Sequence, residues 1–177
     1  MVSTSTEPSP GRTFSGLLRA LVPALALLLL IVWWQRGEAA PVQTVDAVAE
    51  AAYAQRMSPV PLPTPAGLPA EWRSTSAHVD APSGEKRSPV TLTIGYLTGQ
   101  DRYAEVTIGD RTESALLRAT APEAVADGTV AIGSATWKRY TSDREEKILV
   151  ATVGKAAVLV TGDAPQEDLV RLAGSVR

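Results

Sequence analysis

Apolar positions along the chain follow two patterns, one continuous and one alternating. The continuous pattern comes first: LLRALVPALALLLLIVWW, at positions 17–34, holds a single charge, Arg19, close to its start. A helix of this length measures about 27 Å, close to the hydrocarbon thickness of a bilayer. The pattern therefore predicts a transmembrane helix over residues 16–35. Its apolar body and its aromatic end, where indole rings favour the membrane interface, supply the anchoring residues Leu17, Leu30, Trp33 and Trp34.

A cleaved signal peptide is the alternative explanation of this segment. Such a peptide has an apolar core of about 7–15 residues and a small-x-small cleavage site, and Gly37-Glu38-Ala39 offers a weak version of that site. Two tryptophans, a glutamine and Arg36 separate the core from it, which suits a membrane exit better than a peptidase groove. We therefore expect an uncleaved signal-anchor.

The basic residues around the predicted helix indicate its orientation. Arg12 and Arg19 lie on its N-terminal side and Arg36 on the other, and basic residues prefer the cytoplasmic side. Residues 1–15 are mostly Ser, Thr, Pro and Gly, too polar to order themselves, and predict a disordered cytoplasmic tail. We expect a single-pass protein of the cell membrane, with a cytoplasmic N-terminus and an extracytoplasmic C-terminal domain.

Residues 36–57 predict a juxtamembrane helix. One face carries, at helical spacing, Val45, Val48, Ala49, Ala52 and Arg56. Asp46 and Glu50 fall on the opposite side. The helix is either a dimerising stalk or a spacer lying on the membrane or on its own domain. Because the apolar face consists largely of alanine, we favour the spacer.

Residues 58–69, SPVPLPTPAGLP, contain five prolines in twelve positions. Proline fixes φ and favours the extended polyproline II conformation, so the segment predicts a semi-rigid linker. A ligand for a proline-recognition domain is the alternative. We place the boundary of a globular domain, residues 70–177, directly after this segment.

The alternating pattern begins in that domain. In VTLTIGYL, for example, Leu92, Ile94 and Tyr96 share one face, and Thr91 and Thr93 share the other with a glycine. Period-two patterns and turn residues predict strands at 71–80, 90–97, 102–109, 129–132, 135–141, 147–153 and 156–161.

Turn and helix signals complete the domain. Gly133 and Gly154 each open a two-residue loop, which predicts type II′ hairpins. A short helix is expected from Asp110 to about Ala119, followed by a turn that stops at Gly128. A final helix carries an apolar stripe that consists of Leu169, Leu172, Ala173 and Val176.

The predicted fold class is α+β. It consists of an N-terminal transmembrane helix, a Pro-rich linker and an antiparallel sheet of about six or seven strands, with short helices and a C-terminal helix packed on one face.

Composition narrows the chemistry that this domain can perform. Basic residues number 17 and acidic residues 19, with the signs interspersed, so nucleic acid is not an expected partner. The chain has no cysteine and one histidine, His78, too few ligands for a typical metal site. Asp80 shares a strand face with His78, but two groups do not make a catalytic set. We predict no catalytic residues, no metal and no cofactor.

Aromatic residues supply the candidate binding surface. Trp and Tyr are favoured at binding surfaces, and the candidates, with one basic neighbour, are Trp137, Arg139, Tyr96 and Tyr103. Trp137 is expected to share a strand face with Arg139. The alternative is that the tryptophans fill the core and the tyrosines cap its rim.

Four stretches carry a resemblance to a known family. They read GLPAEWRSTSA at 67–77, VTLTIGYLTGQDRYAEV at 90–106, VAIGSATWKRY at 130–140 and ILVATVGKAAVLVTGDAPQEDLVRLAGSV at 148–176. In this the chain resembles a family of actinobacterial single-pass membrane proteins of the domain-of-unknown-function type, the 4245 family. The resemblance implies an actinobacterial origin and an extracytoplasmic domain, and it implies no activity.

Three functions remain open on these observations. The first is a non-catalytic domain that binds a partner protein or a cell-envelope component while the N-terminal helix holds it to the lipid bilayer. The second is a small-ligand or lipid sensor, with the ligand between the sheet and the C-terminal helix beneath Leu169 and Leu172. The third is an envelope hydrolase that uses loop carboxylates, which we expect least.

Overall fold

The computed structural model describes residue 27 and residues 45–81 and 89–177. The chain divides into two units, Met1–Val42 and Gln43–Arg177. The predicted tail and the predicted anchor, including Leu17, Leu30, Trp33 and Trp34, lie outside the described residues; of the anchor only Leu27 is described. In the part of the chain that is described, no helix is long and apolar enough to cross a membrane.

The described residues of the second unit form seven strands and three helices. In chain order they are α1 (Ala47–Met57), β1 (Arg73–Asp80), β2 (Thr91–Leu97), β3 (Tyr103–Gly109), α2 (Glu113–Thr120), β4 (Val125–Ile132), β5 (Ala135–Thr141), β6 (Lys147–Val153), β7 (Ala156–Gly162) and α3 (Gln166–Ser175).

The strands form one antiparallel sheet in the order β1-β2-β3-β7-β6-β5-β4. Two meanders, β1–β3 and β4–β7, therefore meet where β3 pairs with β7. The predicted antiparallel sheet with a C-terminal helix is confirmed. Gly133 and Gly154 have φ of 60° and 64°, while Ser134 and Lys155 do not have positive φ; this is the type II′ pattern.

Strand β4 is longer than predicted. It begins at Val125, and a bulge between Ala126 and Thr129 accommodates Gly128, whose φ is 92°. A glycine at positive φ is typical of a bulge as well as of a turn. The prediction that the turn stops at Gly128 was therefore wrong.

Helices cover both faces of the sheet. On the first face, α1 packs against β1 and β2, and α3 packs against β3, β4, β6 and β7 over the larger apolar core. On the second face, α2 packs against β6 and β7 through Leu116, which contacts a smaller cluster formed by Ile148, Val150, Ala157 and Leu159. The expectation that all helices share one face was wrong for α2. No described helix covers β1–β3 on the second face.

Helix α1 faces its domain with different residues from those predicted. It begins at Ala47, where the Asp46 side chain accepts hydrogen bonds from the amides of Val48 and Ala49. Ala54 is fully buried, whereas Val48 is 79% exposed. Small alanines allow the helix to approach the sheet closely, so they, rather than the valine, form the inward face. The helix lies on its own domain, as the spacer interpretation proposed.

The Pro-rich segment also differs from the expected linker, because it packs against the domain. Leu62 is buried, and its amide donates to the Gln55 side chain at 2.8 Å. The backbones of Thr64 and Arg177 exchange two hydrogen bonds, next to an antiparallel bridge between Pro65 and Val176. Residues 58–69 are therefore part of the folded unit.

Candidate functional site

The four residues predicted to bind a partner are not brought together on one exposed surface. Trp137 and Tyr96 belong to the apolar core of the first face, with 1% and 8% of their surface exposed. Arg139 shares the face of Trp137, and its guanidinium donates to the carbonyl of Asp127 at 2.7 and 3.0 Å. Tyr103 lies on the second face. The alternative fits Trp137, which fills the core, whereas Tyr96, expected at the rim, is buried in the core as well.

The space beneath the C-terminal helix is filled by side chains. Leu169 and Leu172 are fully buried, and the recess that Leu169 lines beside Arg139 has a volume of about 10 Å³. A cavity of this size holds about one water molecule. A ligand site between the sheet and α3 is therefore not supported.

A cleft of about 260 Å³ opens instead on the second face, between strands β1–β3 and helix α2. We call it the polar cleft. Its lining residues are His78, Asp80, Thr91, Thr93, Glu105, Thr107, Arg111, Leu116, Ala119 and Thr120. Eight of these ten carry a titratable group or a hydroxyl, seven on the sheet floor or at its edge and one, Thr120, on α2. Helix α2 also supplies the apolar Leu116 and Ala119.

The strand register explains why these polar groups meet. Thr93 lies directly opposite His78 on one side and opposite Thr107 on the other, and the two threonine hydroxyls are 3.4 Å apart. Asp80 lies opposite Thr91 in the next row. Side chains directly opposite each other are about 5 Å apart and rows are about 7 Å apart. The cleft floor is therefore a regular array of hydrogen-bonding groups.

A tyrosine and a glycine shape one end of this floor. The Tyr103 hydroxyl donates to Glu105 at 2.6 Å, and its ring passes over Gly95, where a Cβ atom would lie 2.6 Å from the Tyr103 hydroxyl and 2.5 Å from Ser76 Oγ. Burial, the hydrogen bond to Glu105 and the charge of Glu105 raise the pKa of Tyr103 to about 12, against a smaller lowering by a hydrogen bond from Ser76. At neutral pH the phenol is therefore a donor that orients the Glu105 carboxylate.

Arg111 supplies the positive charge of the cleft. It lies between β3 and α2, and its Nε atom is buried with no hydrogen-bond partner among the described residues. A buried donor without an acceptor costs about 1–3 kcal/mol, and more when the group is charged. Arg111 also lines the cleft, and a guanidinium carries five N–H donors.

Helix α2, the wall of the cleft, is held in place by Glu113. Its carboxylate accepts hydrogen bonds from Lys138 Nζ at 2.8 Å and from the Thr152 hydroxyl at 2.7 Å. Burial by itself raises the pKa of Glu113, but these hydrogen bonds and the charge of Lys138 outweigh it and hold the pKa below its ordinary value. The helix is thus fixed to β5 and β6 by a charged contact in addition to Leu116.

The arrangement is suited to hydrogen bonding with a polar ligand. Carboxylates accept, the guanidinium donates, and hydroxyl and imidazole groups do both. Within the described residues, no three side chains among His, Asp and Glu converge into a metal site. The sequence analysis placed His78 and Asp80 on one strand face but did not predict that Glu105, Thr107 and Arg111 lie near them. The pattern that could have indicated this site is the polar side of the alternating strands β2 and β3.

Comparison with known proteins gives one match. The model of a family described as "Protein of unknown function (DUF4245)" matches residues 11–176 of the chain, which confirms the resemblance drawn from the four sequence stretches. Neither the curated proteins nor the solved structures gave a match.

Proposed function

We propose that the chain, which belongs to the DUF4245 family, is a non-catalytic binding domain. Its polar cleft takes up a component of the cell envelope or a partner protein. The proposal includes the single-pass anchor over residues 16–35, an extracytoplasmic location and an actinobacterial source. The family description assigns no activity, so the argument depends on the cleft.

One observation carries this proposal. No helix among the described residues covers the second face of the sheet over β1–β3, and this part of the face is polar and has α2 as a wall. An antiparallel sheet can expose one face to solvent. A merely solvated face, however, does not require a wall or a buried guanidinium nitrogen that has no acceptor among the described residues. The polar cleft has both, because α2 closes one side and Arg111 lies at its edge.

A binding role fits these groups better than a catalytic one. A general base or nucleophile needs a partner that orients it. His78 is exposed and makes no side-chain hydrogen bond with the described residues. Tyr103 orients Glu105, but in the described part of the chain no hydrogen bond links Glu105 to His78 or Asp80. The cleft therefore offers recognition groups without the paired geometry of a hydrolase.

Site-specific photocrosslinking in the native membrane tests the proposal. A diazirine-bearing residue replaces Thr93 in the cleft of the full-length protein, and in a matched variant it replaces Thr136, an exposed threonine of β5. We expect an adduct from position 93 that is absent at position 136. Identical adducts at the two positions, or none at position 93, would contradict the use of the cleft.

A further inference from the structure

We infer that the polar cleft binds a neutral, hydroxyl-rich ligand, a saccharide segment, with Asp80 and Glu105 accepting hydrogen bonds from its hydroxyl groups and Arg111 donating to its oxygens. The inference depends on the proposed function, because it names the chemical class of the molecule that occupies the same site.

The mixture of charges in the cleft favours a ligand without net charge. Asp80 and Glu105 bring two carboxylates to the floor, and Arg111 brings one guanidinium. A phosphate-rich ligand attracted by the guanidinium would meet the two carboxylates, and a cationic ligand would meet Arg111. A hydroxyl group both donates and accepts, so a polyol can satisfy every group without repulsion from any of them.

Arg111 supplies one contact. It lines the cleft, and a guanidinium carries five N–H donors, which can pair with a hydroxyl or ring oxygen of a saccharide. Hydrogen bonds to charged groups are roughly twice as strong as those between neutral groups. The Thr93 and Thr107 hydroxyls, 3.4 Å apart and only weakly engaged with each other, remain able to pair with the ligand.

The position of the cleft argues against a peptide as its occupant. Peptide strands are recognised at a sheet edge, where the backbone offers unpaired donors and acceptors, and specificity comes from pockets for side chains. The cleft lies on the face of the sheet, where backbone groups of β2 are already paired with both neighbours. Its lining is dominated by hydroxyl and charged groups instead of apolar pockets.

An aromatic ring lies beside the cleft. The half-buried Tyr103 ring covers Gly95, and its hydroxyl donates to Glu105, which lines the cleft. Aromatic rings offer apolar area with a polar tip, so the C–H face of a sugar ring can pack there while its hydroxyls reach Glu105.

Titration calorimetry on the full-length protein tests this inference. The protein is kept in a detergent without a sugar headgroup and is titrated with a panel of neutral hexose and pentose oligosaccharides, with inorganic phosphate and an oligopeptide as comparison ligands. We expect at least one oligosaccharide to bind. Glu105→Gln should weaken it about ten- to a hundredfold, as expected for loss of a hydrogen bond to a charged group, while Glu167→Gln, on exposed α3 surface, leaves it unchanged.

A second pair of variants tests the donor. Arg111→Lys keeps the charge but removes the guanidinium donors, and should weaken binding of the same oligosaccharide, whereas Arg118→Lys on the exposed side of α2 should not. Equal effects of Glu105→Gln and Glu167→Gln in folded proteins would show that the sugar binds elsewhere and overturn the inference.

The crosslinking result separates the two levels of the argument. If no oligosaccharide binds but position 93 still captures a partner protein, the saccharide inference is wrong and the proposed function stands. Preferential binding of phosphate or of the peptide would likewise show that the saccharide inference is wrong, while the proposed function stands. If neither oligosaccharide binding nor a position-specific adduct is found, both fail.

Discussion

Gly95→Ala should disrupt the Tyr103 end of the cleft. A Cβ atom at this position would lie 2.6 Å from the Tyr103 hydroxyl and 2.9 Å from the ring carbon Cε2, distances that real Cβ atoms do not show. The ring must therefore move off β2. Its hydrogen bond to Glu105, 2.6 Å in length, is then broken or rebuilt in poorer geometry.

The expected cost follows from two destabilising terms and one stabilising term. Overpacking costs about 1–3 kcal/mol, and loss of a hydrogen bond to a charged group adds up to about 1.5–3 kcal/mol. Tyr103 is only half-buried, so its ring can turn toward solvent and relieve part of this cost. Alanine also restricts the unfolded chain, which stabilises the protein by about 0.4–1 kcal/mol. We therefore expect a net loss of about 1–3 kcal/mol in the free energy of unfolding.

A double-mutant cycle on the full-length protein, by urea unfolding, measures this cost and its cause. With Tyr103→Ala already present, Gly95→Ala should cost less than about 1 kcal/mol, because two of the three nearest atoms are gone and the third, the Ser76 hydroxyl, can rotate; contacting residues commonly couple by about 0.5–3 kcal/mol. An equal cost with and without Tyr103 would refute the reasoning. The pKa of Tyr103, measured by NMR, should also fall from about 12 toward its ordinary value of 10 in Gly95→Ala.

Three further predictions concern pH and the helices. Folding lowers the pKa of Glu113 from 4.5, so its stabilising effect is present above pH 4.5 and is lost as the pH falls through the lowered pKa; Glu113→Gln should flatten this acid dependence in urea unfolding. Burial raises the pKa of Tyr96 and contributes to that of Tyr103, each to about 12, so stability should be lost as the pH rises from 10 to 12, and Tyr103→Phe should remove part of that loss. Ala54→Asp should destabilise the domain by several kcal/mol, about the cost of burying an unpaired charge. Val48→Asp should change the unfolding midpoint little, because Val48 is exposed. Similar midpoints for the two variants would contradict the placement of α1.

The strands could be predicted from sequence because their signals are local. Each of the hairpins at Gly133 and Gly154 depends on one residue whose φ must be positive. The last helix was predicted from apolar residues spaced three or four positions apart, which form one stripe on a helix. The inward face of α1 could not be predicted, because alanines surround the helix on several sides. Which alanines are buried depends on the close approach of the helix to β1 and β2, which no local pattern encodes.

The candidate site was missed for a related reason. The aromatic residues were chosen for their residue type, but Trp137 and Tyr96 are on the apolar sides of their strands, which already assigned them to the core. The polar cleft lies on the other face of the sheet. His78, Thr93 and Thr107 become neighbours only through the pairing of β1 with β2 and of β2 with β3, and the register of those pairs is not readable from any one strand.

The degree of alternation nevertheless indicates where such a face is left open. A strand covered on both faces tends to be continuously apolar, whereas a strand covered on one face alternates. β6 and β7 contain the apolar runs ILVA and AAVLV, and they are the strands packed by α2 on one face and α3 on the other. β2 and β3 place Thr, Gly, Tyr and Glu at every second position, and no described helix covers that side. Since α2 spans only Glu113–Thr120, about 12 Å of helix, it covers β6 and β7 and ends as the wall of the cleft. The polar cleft is therefore a consequence of a short helix placed beside two alternating strands.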